Sequence, residues 1–78
     1  MPCRVGMTTN LVERRAFWES QYPRTLKNWQ VVYTCYTKSD AQFHENRLAL
    51  AYSCEAAAGG VGPENATWYI YYFEHNGN

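Results

Sequence analysis

The segment Thr67-Trp68-Tyr69-Ile70-Tyr71-Tyr72-Phe73, close to the end of the chain, has no polar face. Read as a strand, it puts Tyr69, Tyr71 and Phe73 on one side and Trp68, Ile70 and Tyr72 on the other. Apolar character on both sides belongs to a central strand covered above and below. A chain of 78 residues must then supply both covering layers, near the lower size limit for a self-sufficient core. Three Trp, seven Tyr and three Phe help, because each buries a large area with few rotatable bonds. The dipeptide Asn76-Gly77 is a hairpin turn with no second strand after it in sequence. The missing partner is then the N-terminal strand.

Around that strand the pattern predicts one domain over residues 1–78 with the order β-α-β-α-β. The first strand covers about Cys3 to Thr8. Asn10, with Glu13 three residues on, is a capping-box start for a helix that ends near Ser20, before Pro23. β-branched and aromatic residues from Trp29 to Tyr36 give the second strand. Ser39, with Gln42 behind it, is expected to cap a second helix that runs to about Cys54. Gly59, Gly60, Gly62 and Pro63 make the stretch from Glu55 to Asn65 a loop. The fold class is α+β, a three-stranded, mainly antiparallel sheet flanked by helices.

Net charge is zero, which excludes a strong nonspecific polyanion binder. The distribution is uneven. Arg4, Arg14, Arg15, Arg24 and Lys27 outweigh the acids of the first thirty residues, whereas Asp40, Glu45, Glu55, Glu64 and Glu74 outweigh Lys38 and Arg47 in the remainder. Cys3, Cys35 and Cys54 are odd in number and lack metal-site spacing, so reduced thiols and a cytoplasmic location are expected (host cytoplasm if phage-encoded). No membrane partner is indicated, since no apolar run approaches a membrane span. His44-Glu45 is not a zinc-protease motif, because Leu48 stands where its second histidine would be. His44 is expected at a rim, and His75 exposed.

Two groups of residues carry chemistry. Ala41, Glu45, Leu48 and Tyr52 share a helical stripe, and a carboxylate on an apolar stripe needs a partner. That partner is a metal with several waters, as Mg²⁺ prefers, or an arginine; otherwise the stripe edge is wet. Arg14 and Arg15 lie between Leu11 and Trp18, so one faces the sheet and the other points outward. The inward one can present a guanidinium fork to a phosphate or cover aromatics with its stem.

Taken in cyclic order, TWYIYYFEHNGN followed by MPCRVGMTTNLVERR, the chain resembles a circularly permuted GIY-YIG nuclease domain. That family opens with an aromatic strand and a second strand ending Tyr-Ile-Gly. A helix starting Asn-Leu-x-x-Arg follows, and a later helix carries a metal-binding glutamate. Ala41 through Glu45 to Leu48 is similar to that later helix. The resemblance implies a metal-dependent DNA endonuclease using Mg²⁺ or Mn²⁺. Its catalytic set would be Tyr69 at the GIY tyrosine, Arg14 at the phosphate-stabilising arginine, Glu45 as metal ligand, and Arg4 where the family has the tyrosine of YIG. Arg4, Arg14, Arg15 and Asn65 would contact DNA. Trp18 replaces the usual His or Tyr a turn after the arginine and cannot act as a base. The alternative is a catalytically impaired module that binds nucleic acid or protein. A cutting enzyme this small would need a homodimer, a companion recognition protein or low sequence specificity, and a compact stand-alone domain suits a phage or mobile element.

Overall fold

The computed structural model describes residues 2–57 and 60–76. Gly77 of the expected turn and Gly59 of the glycine-rich loop lie outside the described residues. The elements are β1 (Cys3–Thr8), α1 (Leu11–Gln21), β2 (Lys27–Thr37), α2 (Lys38–Ala51), β3 (Glu55–Ala56) and β4 (Asn65–Glu74). They form an α+β fold with a mixed four-stranded sheet in the order β2-β4-β1-β3 and two helices.

β4 is central, as its two apolar faces require. It runs antiparallel to β1 from Cys3↔Glu74 to Thr8↔Tyr69 and antiparallel to β2 on its other side. The chain ends therefore meet as the two arms of one hairpin. Residues opposite each other in an antiparallel pair share a face. One face thus carries Val5, Met7, Trp68 and Ile70, which pack with Cys35 and with Ala41, Leu48 and Ala49 of α2 into the main core. The other face carries Arg4, Gly6, Tyr71 and Phe73, with α1 above it.

Thr8 sets the entry to α1: its hydroxyl accepts from the Asn10 amide at 3.0 Å and donates to the Asn10 carbonyl at 3.2 Å. Asn10 then caps the helix, its side-chain oxygen accepting from Glu13 N at 3.1 Å. The helix has no buried residue, so it reaches the sheet through long side chains rather than a close-packed stripe.

Several expectations are corrected. The sheet has four strands, not three, because Glu55–Ala56 pairs parallel to β1 and is extended by Ala57 N donating to Val5 O at 2.8 Å. Two residues are too few to show a period, and only the docked edge of β1 makes them a strand. The cap of α2 is Thr37, whose hydroxyl accepts from Asp40 N at 3.2 Å. Ser39 instead grips Glu64: its amide donates at 3.0 Å and its hydroxyl at 2.9 Å, and these bonds pull the Glu64 pKa down. α2 stops at Ala51, three residues early, where Ser53 enters the left-handed region at φ 56°. Gly60 is buried rather than loose: a Cβ there would come within 2.9 Å of both Met7 O and the Trp68 ring. His75 is buried too, stacked on Tyr22 at 4.2 Å.

The expectation of reduced thiols also fails. Cys3 and Cys54 form a disulfide with Cα atoms 4.9 Å apart, and only Cys35 is free, buried in the core. The thiol argument for a cytoplasmic location goes with it, since such bonds persist mainly in oxidising compartments. No helix among the described residues is long and apolar enough to cross a membrane. The bridge spans a sequence separation of 51, from the first residue of β1 to the residue before β3. Loop-closure entropy for such a span predicts that Cys3→Ser/Cys54→Ser lowers the unfolding free energy by about 2–4 kcal/mol. Urea titrations of the variant and of the oxidised protein read the difference, and coincident midpoints would exclude it.

Candidate active site

The α1-facing side of the sheet holds a group of charged and aromatic side chains centred on Tyr71. Tyr71 sits directly across from Gly6 in the β1–β4 register. Its ring leans over the glycine, and a Cβ on Gly6 would run into the Tyr71 ring and hydroxyl. Trp29 of β2 stacks on the same ring at 4.7 Å between centroids, and the Trp18 indole N–H donates to the Tyr71 hydroxyl oxygen at 2.8 Å. Tyr71 is 1 % exposed. That burial raises its pKa most, while the Trp18 hydrogen bond and the charges of Arg14 and Arg4 pull it down. The Glu45 carboxylate pushes it up, so all three charges bear on this one hydroxyl.

The arginines differ in exposure, but neither turns away from the sheet as the helix spacing anticipates. Arg14 is half-buried, its guanidinium 5.2 Å from the Phe17 ring centroid. Arg15 is the more exposed, paired with Glu19 at 3.4 Å, yet its guanidinium also lies 5.9 Å from the ring of Trp29 on the sheet. On β1, Arg4 bonds Glu55 at 3.1 Å and lies 5.2 Å from the Trp18 ring centroid. Its Nε is buried without a hydrogen-bond partner.

Glu45 is the most deeply buried charged residue of the fold, at 1 % exposure. Gln42 Nε2 donates to its Oε1 at 2.8 Å, while Oε2 is buried with no hydrogen-bond partner. Burial raises its pKa above the ordinary 4.5, against the Gln42 bond and one from the Met7 amide, which lower it. Of the three partners considered from sequence, two drop out. The stripe edge is not wet, and among the described residues the arginine–carboxylate pairs go to Glu55 and Glu19 instead. No cluster of three or more His, Cys, Asp or Glu side chains able to hold a metal occurs among the described residues. A cation here would have Glu45 as its one acidic ligand among the described residues, and reaching the buried Oε2 would need the site to open and admit the waters that Mg²⁺ keeps.

Two other residues singled out from sequence lie apart. Tyr69 is opposite Thr8 and Thr34, half-buried, one pair further along β4, and no ring or hydrogen-bond contact joins it to Arg4, Arg14 or Glu45. Asn65 is exposed at the far end of β4, opposite Thr37, roughly 20 Å from Tyr71 at about 3.3 Å per residue. Sequence reasoning assigns Tyr71 to the core, and it is buried there. The signal that separates it from Tyr69 is its position across from Gly6, which needs the β1–β4 register. His44 sits at a rim as expected, 4.3 Å from the Tyr33 ring and hydrogen-bonded to Arg47.

Compared with protein-family profiles, curated proteins and solved structures, the chain shows no match.

Proposed function

We propose that this chain is a metal-dependent endonuclease that hydrolyses DNA phosphodiester bonds, built as a permuted GIY-YIG-like domain. The observation that carries the reading is the buried Glu45 oxygen that has no hydrogen-bond partner, together with a buried tyrosine hydroxyl on which the charges of Glu45, Arg14 and Arg4 act. Phosphoryl transfer needs positioning and fixed charge more than covalent chemistry, and this set supplies both.

Glu45 would hold a divalent cation through Oε2, and the cation would supply charge stabilisation for the leaving 3′ oxygen. Arg14, and Arg4 from the strand below, bind the non-bridging phosphate oxygens. Tyr71 takes the role that the sequence resemblance gives to Tyr69: its hydroxyl orients the attacking water and exchanges a proton with it. Arg15 and the half-exposed Phe17 are accessible on α1, where a strand of nucleic acid would pass. Asn65 is too remote to share the same phosphate.

The burial of Tyr71 favours a second reading, a module that binds nucleic acid without cutting, since a phenol pushed up in pKa is a poor proton acceptor. Supercoiled plasmid incubated with the protein and Mg²⁺ or Mn²⁺ separates the two. Nicking that disappears with EDTA and with Glu45→Ala is the expected result. Intact plasmid at protein excess, with salt-sensitive DNA binding retained, would establish the binding module instead.

A further inference from the structure

Trp18 has a narrower chemistry than its neighbours. An indole N–H donates a hydrogen bond and cannot accept one. In the 2.8 Å contact between Trp18 Nε1 and Tyr71 Oη, the phenol oxygen is therefore the acceptor, and its own proton must point elsewhere. The Tyr71 ring is held by Trp29, stacked at 4.7 Å, and by the neighbouring Phe73 at 6.2 Å. The Tyr71 ring and hydroxyl fill the space over Gly6 that a Cβ would otherwise take.

The indole is itself locked. Phe73 lies 5.2 Å from it, Tyr22 stacks at 6.0 Å, Phe17 meets it edge-on at 5.0 Å, and the Arg4 guanidinium sits 5.2 Å from its centroid. Arg4 is in turn anchored to Glu55 of β3. The geometry points to Trp18 as a positioning residue: a fixed donor that orients Tyr71 so its single proton faces away from the indole, and that stabilises the phenolate when the proton leaves. The catalytic part of this role rests on the nuclease reading above; the orientation of the hydroxyl does not. The charges that act on that hydroxyl are Arg14 from α1, Arg4 from β1 and Glu45 from α2.

Packing and donation make opposite predictions. If Trp18 only fills space, Trp18→Phe loosens the layer, hydrates Tyr71 and moves its titration to lower pH, because burial is what raises it. If Trp18 acts as a donor, Trp18→Phe keeps a ring in place but removes the bond that favours the phenolate, and the titration moves to higher pH. The measurement is an NMR pH titration of ¹³Cζ-tyrosine-labelled protein, with the Tyr71 signal assigned by Tyr71→Phe. An upward shift is expected; no shift or a downward one overturns the proposal.

A second measurement avoids strongly alkaline solution. At pH 7 the Trp18 indole N–H proton should move upfield and exchange faster with solvent in Tyr71→Phe than in the parent, and an unchanged resonance overturns the bond itself. If the parent nicks plasmid, Trp18→Phe should lower kcat by about tenfold or more at similar KM, the scale of one lost hydrogen bond to a charged group. A parent that does not nick DNA overturns the nuclease reading alone, because both NMR measurements still decide the role of Trp18.

Discussion

Tyr71→Phe is expected to lower the plasmid-nicking rate by about 10²- to 10⁴-fold, the range for losing a positioned proton-transfer group. Tyr69→Phe should stay within about threefold of the parent, as for substitutions away from any network. The contrast is large because the two tyrosines, two residues apart on one strand face, have different surroundings. Tyr71 accepts from Trp18 and feels Arg14, Arg4 and Glu45, whereas Tyr69 faces Thr8 and Thr34. Phenylalanine at position 71 preserves the stack on Trp29 and removes only the oxygen. Circular dichroism and a thermal midpoint close to the parent's would confirm that the fold survives. Equal losses at the two positions would place the chemistry away from Gly6 and return the assignment to Tyr69.

The ambiguity between those tyrosines marks where sequence reading stops. β1, α1 and β4 were legible because their signals are local: a capping asparagine at Asn10, and a strand whose two faces are both apolar. The antiparallel meeting of the chain ends was legible too, because β4 needed a neighbour on each side. The register of that meeting was not. Its turn would have to bridge the two chain ends, so no loop length fixes which tyrosine stands across from Gly6. The same holds for β3, which exists because the Val5 carbonyl offers it a hydrogen bond, and for the Cys3–Cys54 bridge, which needs β1 and β3 side by side. Ser39 failed as a helix cap because Thr37 takes that place, and the Ser39 amide and hydroxyl instead donate to Glu64, distant in sequence.

Glu45 was found from its stripe, and its environment carries the other large prediction. Glu45→Gln should be more stable than the parent at pH 8, by on the order of 1–3 kcal/mol, the usual cost of an unsatisfied buried polar or charged group. The sign follows from linkage. The folded-state pKa of Glu45 lies above its ordinary 4.5, so the folded protein binds the proton more tightly than the unfolded chain does. The stability this proton supplies is complete below 4.5 and is lost as pH rises through the raised folded value. Glutamine is neutral throughout and escapes that loss, so the two stability curves should converge near pH 4 and separate towards pH 8. Mg²⁺ or Mn²⁺ should then raise the melting temperature of the parent at pH 8 and leave Glu45→Gln unmoved, since only the carboxylate offers a charge for the cation to bind. Curves that run parallel from pH 4 to pH 8 would mean that Glu45 stays neutral or finds a partner when ionised. A metal-insensitive parent would remove Glu45 as a ligand. The predicted combination, a carboxylate that destabilises the apo fold and is rescued by a divalent cation, is what separates a metal site from a carboxylate that merely survives burial.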